Sequence, residues 1–209
     1  MYRRSRPGIL TLRNPQGVWS SVFAMLNSVQ KYQRPSAVGS VDSAFIVGGY
    51  YNSASEIYNG STWSVAASST YTKMEAAGAG TVNASVFFSG YNSTSSSLDN
   101  TELFNGITWS NGNAGNQRHS HAGFGVQNAA VLVSGAYYSG GGVYSSQYCH
   151  MYNGSTWNAS TSILTTRVNC AGSGSRNAAV ASGGESTYNG SYLNSFNSAE
   201  KFNGYTWST

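Results

Sequence analysis

The chain has 209 residues and a formal charge of +4, and only 9% of its residues are charged, against roughly 25% in an ordinary globular domain. Its hydrophobic fraction of 40%, with 13% aromatic residues, is enough to build a core and argues against a disordered chain. No apolar run approaches the ~18 residues of a membrane helix, which argues against membrane insertion, and two cysteines, Cys149 and Cys170, are too few for a disulfide framework.

The chain opens on a basic segment. Arg3, Arg4, Arg6 and Arg13 supply four of the 11 basic residues, and beyond residue 13 basic and acidic side chains balance. The basicity therefore belongs to an N-terminal arm, placed at residues 1–18, ahead of a domain spanning 19–209. Four arginines are too few for a nucleic-acid surface, so the arm is expected to attach the domain to an acidic neighbour or another subunit. The apolar stretch Ile9, Leu10 and Leu12 is interrupted by Arg13 and Asn14, a poor signal peptide.

Next comes Gly17-Val-Trp-Ser-Ser-Val22, an isolated strand around Trp19, and then a repeat. Trp19, Trp63, Trp109, Trp157 and Trp207 are spaced by 44, 46, 48 and 50 residues. The last four close near-copies of one phrase: Glu56-Ile-Tyr-Asn-Gly-Ser-Thr-Trp63, Glu102-Leu-Phe-Asn-Gly-Ile-Thr-Trp109, His150-Met-Tyr-Asn-Gly-Ser-Thr-Trp157 and Glu200-Lys-Phe-Asn-Gly-Tyr-Thr-Trp207. Asn-Gly between β-type runs predicts a strand, a type I′ turn and a strand.

A second phrase precedes each copy, from Gly39 to Gly49, Gly80 to Gly90, Gly125 to Gly135 and Gly174 to Gly184. Each carries Asp42, Asn83, Asn128 or Asn177, then a short apolar run, then a pair of small residues. This pattern predicts a buried strand, preceded by a Gly/Ala inner strand with little room around it. Each unit thus holds four strands, and one such meander cannot bury both faces alone. Stacked radially, neighbouring sheets bury each other, as in a β-propeller.

The small-residue pair, the Glu-x-Tyr-Asn-Gly phrase and the following Trp resemble kelch repeats over residues 19–207. The low charge and the Tyr-Asn-Gly-Ser-Thr-Trp wording are similar to kelch-like proteins of bacteriophages, which implies a virion structural, tail-fibre or adhesion role. His150 departs from the usual acidic residue, and Ser89 and Ser134 from the first Gly. The expected fold is all-β: a kelch-like propeller of four four-stranded antiparallel blades, with Trp19 in an extra N-terminal strand.

Length varies mainly between the small-residue pair and the Asn of Asn-Gly: 10 residues from Gly49 to Asn59, 15 from Gly90 to Asn105, 18 from Gly135 to Asn153 and 19 from Gly184 to Asn203. Insertions at one repeat position fall on one face, which often binds. They carry Tyr50, Tyr51, Tyr91, Tyr137, Tyr138, Tyr144, Tyr188, Asn189, Tyr192 and Asn194, the candidate binding residues. Tyr gives rigid amphipathic area and Asn adaptable hydrogen bonds.

Catalytic chemistry is thin. Glu56, Glu102 and Glu200 are repeat-equivalent, and Asp42 stands where other units have Asn. Lys73, Arg118 and Arg167 recur seven residues before the inner-strand Gly, so all seven read as structural. Glu75, Asp99 and Glu185 form no paired-acid pattern. His119 and His121 have a strand-like i, i+2 spacing, which places both on one face; with His150 or Cys149 they could make a zinc or copper site, but the favoured reading is two partly exposed histidines near a strand start. No enzyme, metal or cofactor is expected.

The sequence reading is a non-enzymatic virion structural protein, a phage tail fibre or capsid decoration on an extracellular particle. Its partners are other virion or oligomer subunits, with cell-surface glycan as candidate ligand of the loop face. The alternative is a cellular kelch adaptor or a secreted lectin-like module.

Overall fold

A computed structural model describes residues 12–14, 17–19, 24–26, 34–50, 52–92, 96–188 and 191–209. The first two segments are described as backbone, and Tyr188, Tyr192 and Leu193 without side chains. Among these residues every regular element is a strand. Four antiparallel sheets follow one another as the four blades of a β-propeller. The first holds β3 (Ser36–Ser40), β4 (Ser43–Val47), β5 (Ser55–Tyr58) and β6 (Trp63–Ala66), and the second β7 (Ala77–Thr81), β8 (Ala84–Phe88), β9 (Thr101–Phe104) and β10 (Trp109–Asn111). The third holds β11 (Ala122–Val126), β12 (Ala129–Val133), β15 (Cys149–Tyr152) and β16 (Trp157–Ser160). The fourth holds β17 (Ala171–Ser175), β18 (Ala178–Ser182), β21 (Ala199–Phe202) and β22 (Trp207–Ser208). The four-strand unit expected from the repeat is the observed one.

Small residues let the inner strands β3, β7, β11 and β17 lie side by side. A Cβ on Gly123 would fall 2.5 Å from the Ala77 methyl of the preceding blade, and one on Gly78 would fall 2.7 Å from Val38. Behind this row the apolar faces interlock. Phe45 and Val47 of the first blade meet Phe87 and Phe104 of the second, Val86 and Phe88 meet Leu132 and Tyr152 of the third, and Val131 and Val133 meet Ala181 and Phe202 of the fourth. The tryptophans seal the outer part of these seams. Trp109 packs on Phe45, Phe87 and Phe104, and its indole N–H donates to the Ala67 carbonyl of the blade before (2.7 Å). Trp157 does the same against Phe88 and Thr101 Oγ1 (2.9 Å).

The array does not join β17 back to β3 as it joins its neighbours. Among the described residues nothing covers one face of the fourth blade: Val180 is 41% exposed, whereas its counterparts Val86 and Val131 are buried. Ser173, Ser182 and Lys201 stand on that face where the third blade has Phe124, Val133 and Met151, the polar outer surface of a terminal repeat.

Two sequence readings need correction. The Asn-Gly turns are four-residue loops, not type I′ turns: Tyr58 pairs with Trp63, leaving Asn59–Thr62 between them. Only the Gly takes positive φ, and the Asn carboxamide oxygen instead caps the loop, accepting from Ser61 N (3.0 Å) and Thr62 N (2.9 Å). Gly60 also lies against Asp42, a Cβ there falling 3.1 Å from the Asp42 carbonyl, which links the two repeated phrases. The second correction is that the insertions of the third and fourth blades carry hairpins, β13–β14 (Ala136–Ser139 and Gly142–Ser145) and β19–β20 (Glu185–Tyr188 and Ser191–Ser195). Alternation around Gly140-Gly141, and the dipeptide Asn189-Gly190, were the available signals.

Trp19 belongs to a hairpin of β1 (Leu12–Asn14) and β2 (Gly17–Trp19), whose Leu12–Trp19 pair mirrors Tyr58–Trp63. Seven residues after Trp19, Leu26 N–H donates to Glu56 (2.9 Å), as Thr70, seven after Trp63, donates to Glu102. The N-terminal segment thus repeats the outer half of a blade. Arg13 lies in β1, whereas Arg3, Arg4 and Arg6 lie outside the described residues.

Candidate functional site

The insertions leave the blades at the end where the chain enters the inner strands. Backbone bridges tie Tyr91 to Met74, Ala136 to His119 and Glu185 to Val168. The small-residue pairs lock blade to blade: Gly49, Gly90 and Gly135 donate N–H to the carbonyls of Lys73, Arg118 and Arg167 (2.8, 2.7 and 2.8 Å). Ser134 replaces Gly at positive φ without loss, because its hydroxyl bonds the Arg167 carbonyl (2.5 Å). The third and fourth insertions touch, Ser145 Oγ donating to the Thr187 carbonyl (3.1 Å).

At the same end four equivalent residues, Arg34, Glu75, Ser120 and Asn169, stand five positions before Gly39, Gly80, Gly125 and Gly174. All four have positive φ between 53 and 56°. Their backbones form a chain of hydrogen bonds across the blades, Glu75 N to Arg34 O (2.9 Å), Ser120 N to Glu75 O (3.0 Å) and Asn169 N to Ser120 O (2.8 Å). The Glu75 carboxylate receives Arg34 Nη1 and Ser120 Oγ, and Asn169 Nδ2 donates to Glu185 (2.8 Å).

Beside this row lies a pocket of about 160 Å³, lined among others by Glu75, Tyr91, His119, Ser120, Tyr138, Asn169 and Thr187. Tyr138 stacks on His119 (5.3 Å between ring centres, 24° between planes) and on Tyr91 (5.7 Å, 24°). Burial and the hydrogen bond to Tyr91 push the Tyr138 hydroxyl up to about 12. Ser97 Oγ lies 2.9 Å from His119 Nδ1, and burial holds His119 below the usual histidine range, so the imidazole is neutral near pH 7. The Thr187 hydroxyl is buried and has no hydrogen-bond partner among the described residues. A buried hydroxyl left unpaired costs free energy unless a ligand or water completes it. The pocket therefore offers an aromatic wall and several polar groups, a lining suited to an uncharged polyhydroxylated ring.

Of the sequence candidates, Tyr91 and Tyr138 reach this pocket. Tyr137 alternates to the other side of β13, where it pairs with Tyr144 (6.0 Å) and lies under Arg118 (5.0 Å from Cζ to the ring centre). Tyr50 and Asn194 are exposed. Tyr188 and Tyr192 sit in β19 and β20, and Tyr51 and Asn189 lie outside the described residues. The sequence reading missed Arg34, Ser120, Asn169 and Thr187 and set Glu75 aside. Their signal was a repeat position that changes residue in every unit, two residues after the recurrent Lys73, Arg118 and Arg167.

Two of those basic residues form buried clamps. Lys73 pairs with Glu102 (2.5 Å) and Arg167 with Glu200 (3.1 Å), all four side chains being fully buried. Each glutamate also accepts from the strand that crosses between blades, Glu102 from Thr70 N (2.7 Å) and Glu200 from Leu164 N (2.7 Å) and Thr165 N (3.0 Å). In the third blade His150 occupies the glutamate's place.

His119 and His121 do not share an environment. Positive φ at Ser120 interrupts strand alternation, and His121 turns onto Phe88 (5.5 Å) instead of the Tyr138 pocket. Burial, with His119 and Arg118 nearby, lowers His121 to about 3. Among the described residues no three His, Cys, Asp or Glu side chains gather around a possible metal position. Cys149 and Cys170 are unbridged and buried in the seam between the third and fourth blades, and burial pushes the Cys149 thiol up to about 11, as an inert thiol.

No protein-family model and no curated protein matches the chain. Its fold is similar to the solved structure of YjhT, with a TM-score of 0.71 at 11% identity over 92% of this chain and 72% of that one. At that identity the likeness speaks for the fold alone.

Proposed function

We propose that this propeller is a non-enzymatic binding module of a virion, a tail-fibre or capsid-decoration subunit, whose insertion face takes a neutral sugar of a host-surface glycan. The observation that carries the ligand assignment is the pocket between Tyr138 and Thr187. A pyranose ring stacks its apolar face on Tyr138, while Thr187, Ser120, Asn169 and Glu75 bond its hydroxyls. The Thr187 hydroxyl, without a hydrogen-bond partner among the described residues, would gain one from a ligand in the pocket. Such a site is weak singly and strong in many copies, as on a particle. The low charge of the domain and the phage-type wording of its repeats support residence on a virion, with Arg3, Arg4, Arg6 and Arg13 as the attachment segment.

A glycan array probed with a multivalent form of the protein tests the ligand. Tyr138→Ala and Thr187→Val each reduce binding at least about tenfold, and Tyr137→Ala leaves neutral-sugar binding intact. Equal array profiles for all three variants would reject the assigned pocket. Mass spectrometry of purified particles tests the virion assignment, the protein being absent from them if the reading is wrong.

A further inference from the structure

Among the described residues the clamp is whole in the second and fourth blades and lacks its carboxylate in the third. In the second and fourth blades a fully buried Lys73 or Arg167 faces a fully buried glutamate. In the third, Arg118 is 9% exposed and among the described residues no carboxylate pairs with it; its Nε has no hydrogen-bond partner there, as Arg167 Nε has none, so the missing carboxylate is what sets it apart. Its Nη1 donates to the neighbouring Gln117 carbonyl (2.8 Å), and its Cζ lies over the Tyr137 ring (5.0 Å from the ring centre), contacts that do not neutralise a charge. His150, standing where the other blades have Glu56, Glu102 and Glu200, has a buried Nδ1 with no partner among the described residues. A buried cation without a counter-charge is expensive, and removing one partner of such a pair typically leaves that full penalty in place.

We propose that the third blade binds an exogenous carboxylate beside Arg118 and His150, which takes the part that Glu102 and Glu200 play in their own blades. Three features favour a carboxylate over a larger anion. The group it replaces is a carboxylate. The guanidinium presents a planar fork suited to two oxygens. The donors that hold Glu200 are the backbone amides seven and eight residues after the blade-crossing Trp, and their counterparts here are those of Asn116 and Gln117. Tyr137 stacks on the guanidinium and Tyr144 packs beside it, so a carboxylate carried on a sugar ring would meet aromatic surface as well. This site is separate from the neutral pocket, since Tyr137 and Tyr138 point to opposite sides of β13, and it stands or falls independently of the function proposed above.

Thermal unfolding of the full chain, titrated with sodium formate at fixed ionic strength and pH 7.5, tests it. Wild type gains a few degrees in Tm and saturates. The variant His150→Glu supplies the carboxylate internally, so its Tm is higher without formate and rises no further. Arg118→Gln loses the response. A parallel series with sodium glucuronate separates the sources: saturation at a lower concentration than formate assigns an acidic sugar, and saturation at the same concentration assigns a small free anion. A wild-type Tm indifferent to both salts, or a formate response equally large in His150→Glu, would overturn the proposal. Should Arg118→Gln fail to fold, the comparison between wild type and His150→Glu decides alone.

Discussion

Tyr137 and Tyr138 are adjacent in one strand and face unlike surroundings. Tyr138 turns to a pocket built with His119, Tyr91, Thr187 and the paired Arg34 and Glu75, whereas Tyr137 turns to Arg118, a cation with no acid beside it among the described residues. Strand alternation thus splits one Tyr-rich insertion into two surfaces of different charge. Composition alone reads both residues as loop aromatics of a single face. The difference traces to one substitution, His150 for glutamate, which leaves the third blade's basic residue without the partner its equivalents have.

The largest expected effect contrasts complete and incomplete clamps. Glu200→Gln strands the buried Arg167 and costs about 3–5 kcal/mol in denaturant unfolding. His150→Gln at the equivalent position breaks no ion pair and costs under about 1 kcal/mol. Equal losses would mean that the third blade is clamped like the others.

Histidine protonation gives the next effect. Burial, the largest cause for each, lowers His119, His121 and His150 below their ordinary value near 6.5, with His121 at about 3. The unfolded chain therefore binds more protons, so this stability is fully present above pH 6.5 and is lost as pH falls below it. Between pH 6.5 and 5, before carboxylates titrate, the loss at His121 alone is on the order of 2 kcal/mol. Urea unfolding at the two pH values reads it, and His121→Phe, which keeps the contact with Phe88, flattens the dependence. A flat wild-type profile would contradict the burial of these rings.

A smaller effect separates binding from folding in the neutral pocket. Thr187→Val removes a hydroxyl that bonds nothing, so Tm stays level or rises slightly, while sugar binding weakens. A clear loss of Tm would show that the hydroxyl is already satisfied. The smallest effect is in alkali: Tyr138, raised to about 12, ionises above the ordinary tyrosine value near 10 in an ultraviolet titration. The folded state is correspondingly destabilised as pH rises above the ordinary tyrosine value near 10.

The propeller was legible because repetition exposes packing. Four copies of a Gly/Ala strand, an apolar strand and a Trp phrase leave few other ways to bury both faces of each sheet. Gly78 and Gly123 show why the inner residues are small, and Asp42 against Gly60 shows why the two phrases travel together. The candidate site was legible only in part. Tyr91 and Tyr138 stood out by type, but the row Arg34, Glu75, Ser120 and Asn169 is brought together by blade stacking, and no two of its members are near in sequence. The four-residue Asn-Gly loop was misread because the carboxamide of Asn59, a side-chain partner, decides the turn.

The most direct test of the two-surface account is an NMR titration of the isotope-labelled full chain, first with neutral monosaccharides and then with formate. The account predicts that sugar moves the signals of Tyr91, His119, Tyr138 and Thr187, whereas formate moves those of Arg118, Tyr137 and His150. Perturbation of one common set by both ligands, or of neither set, would contradict it.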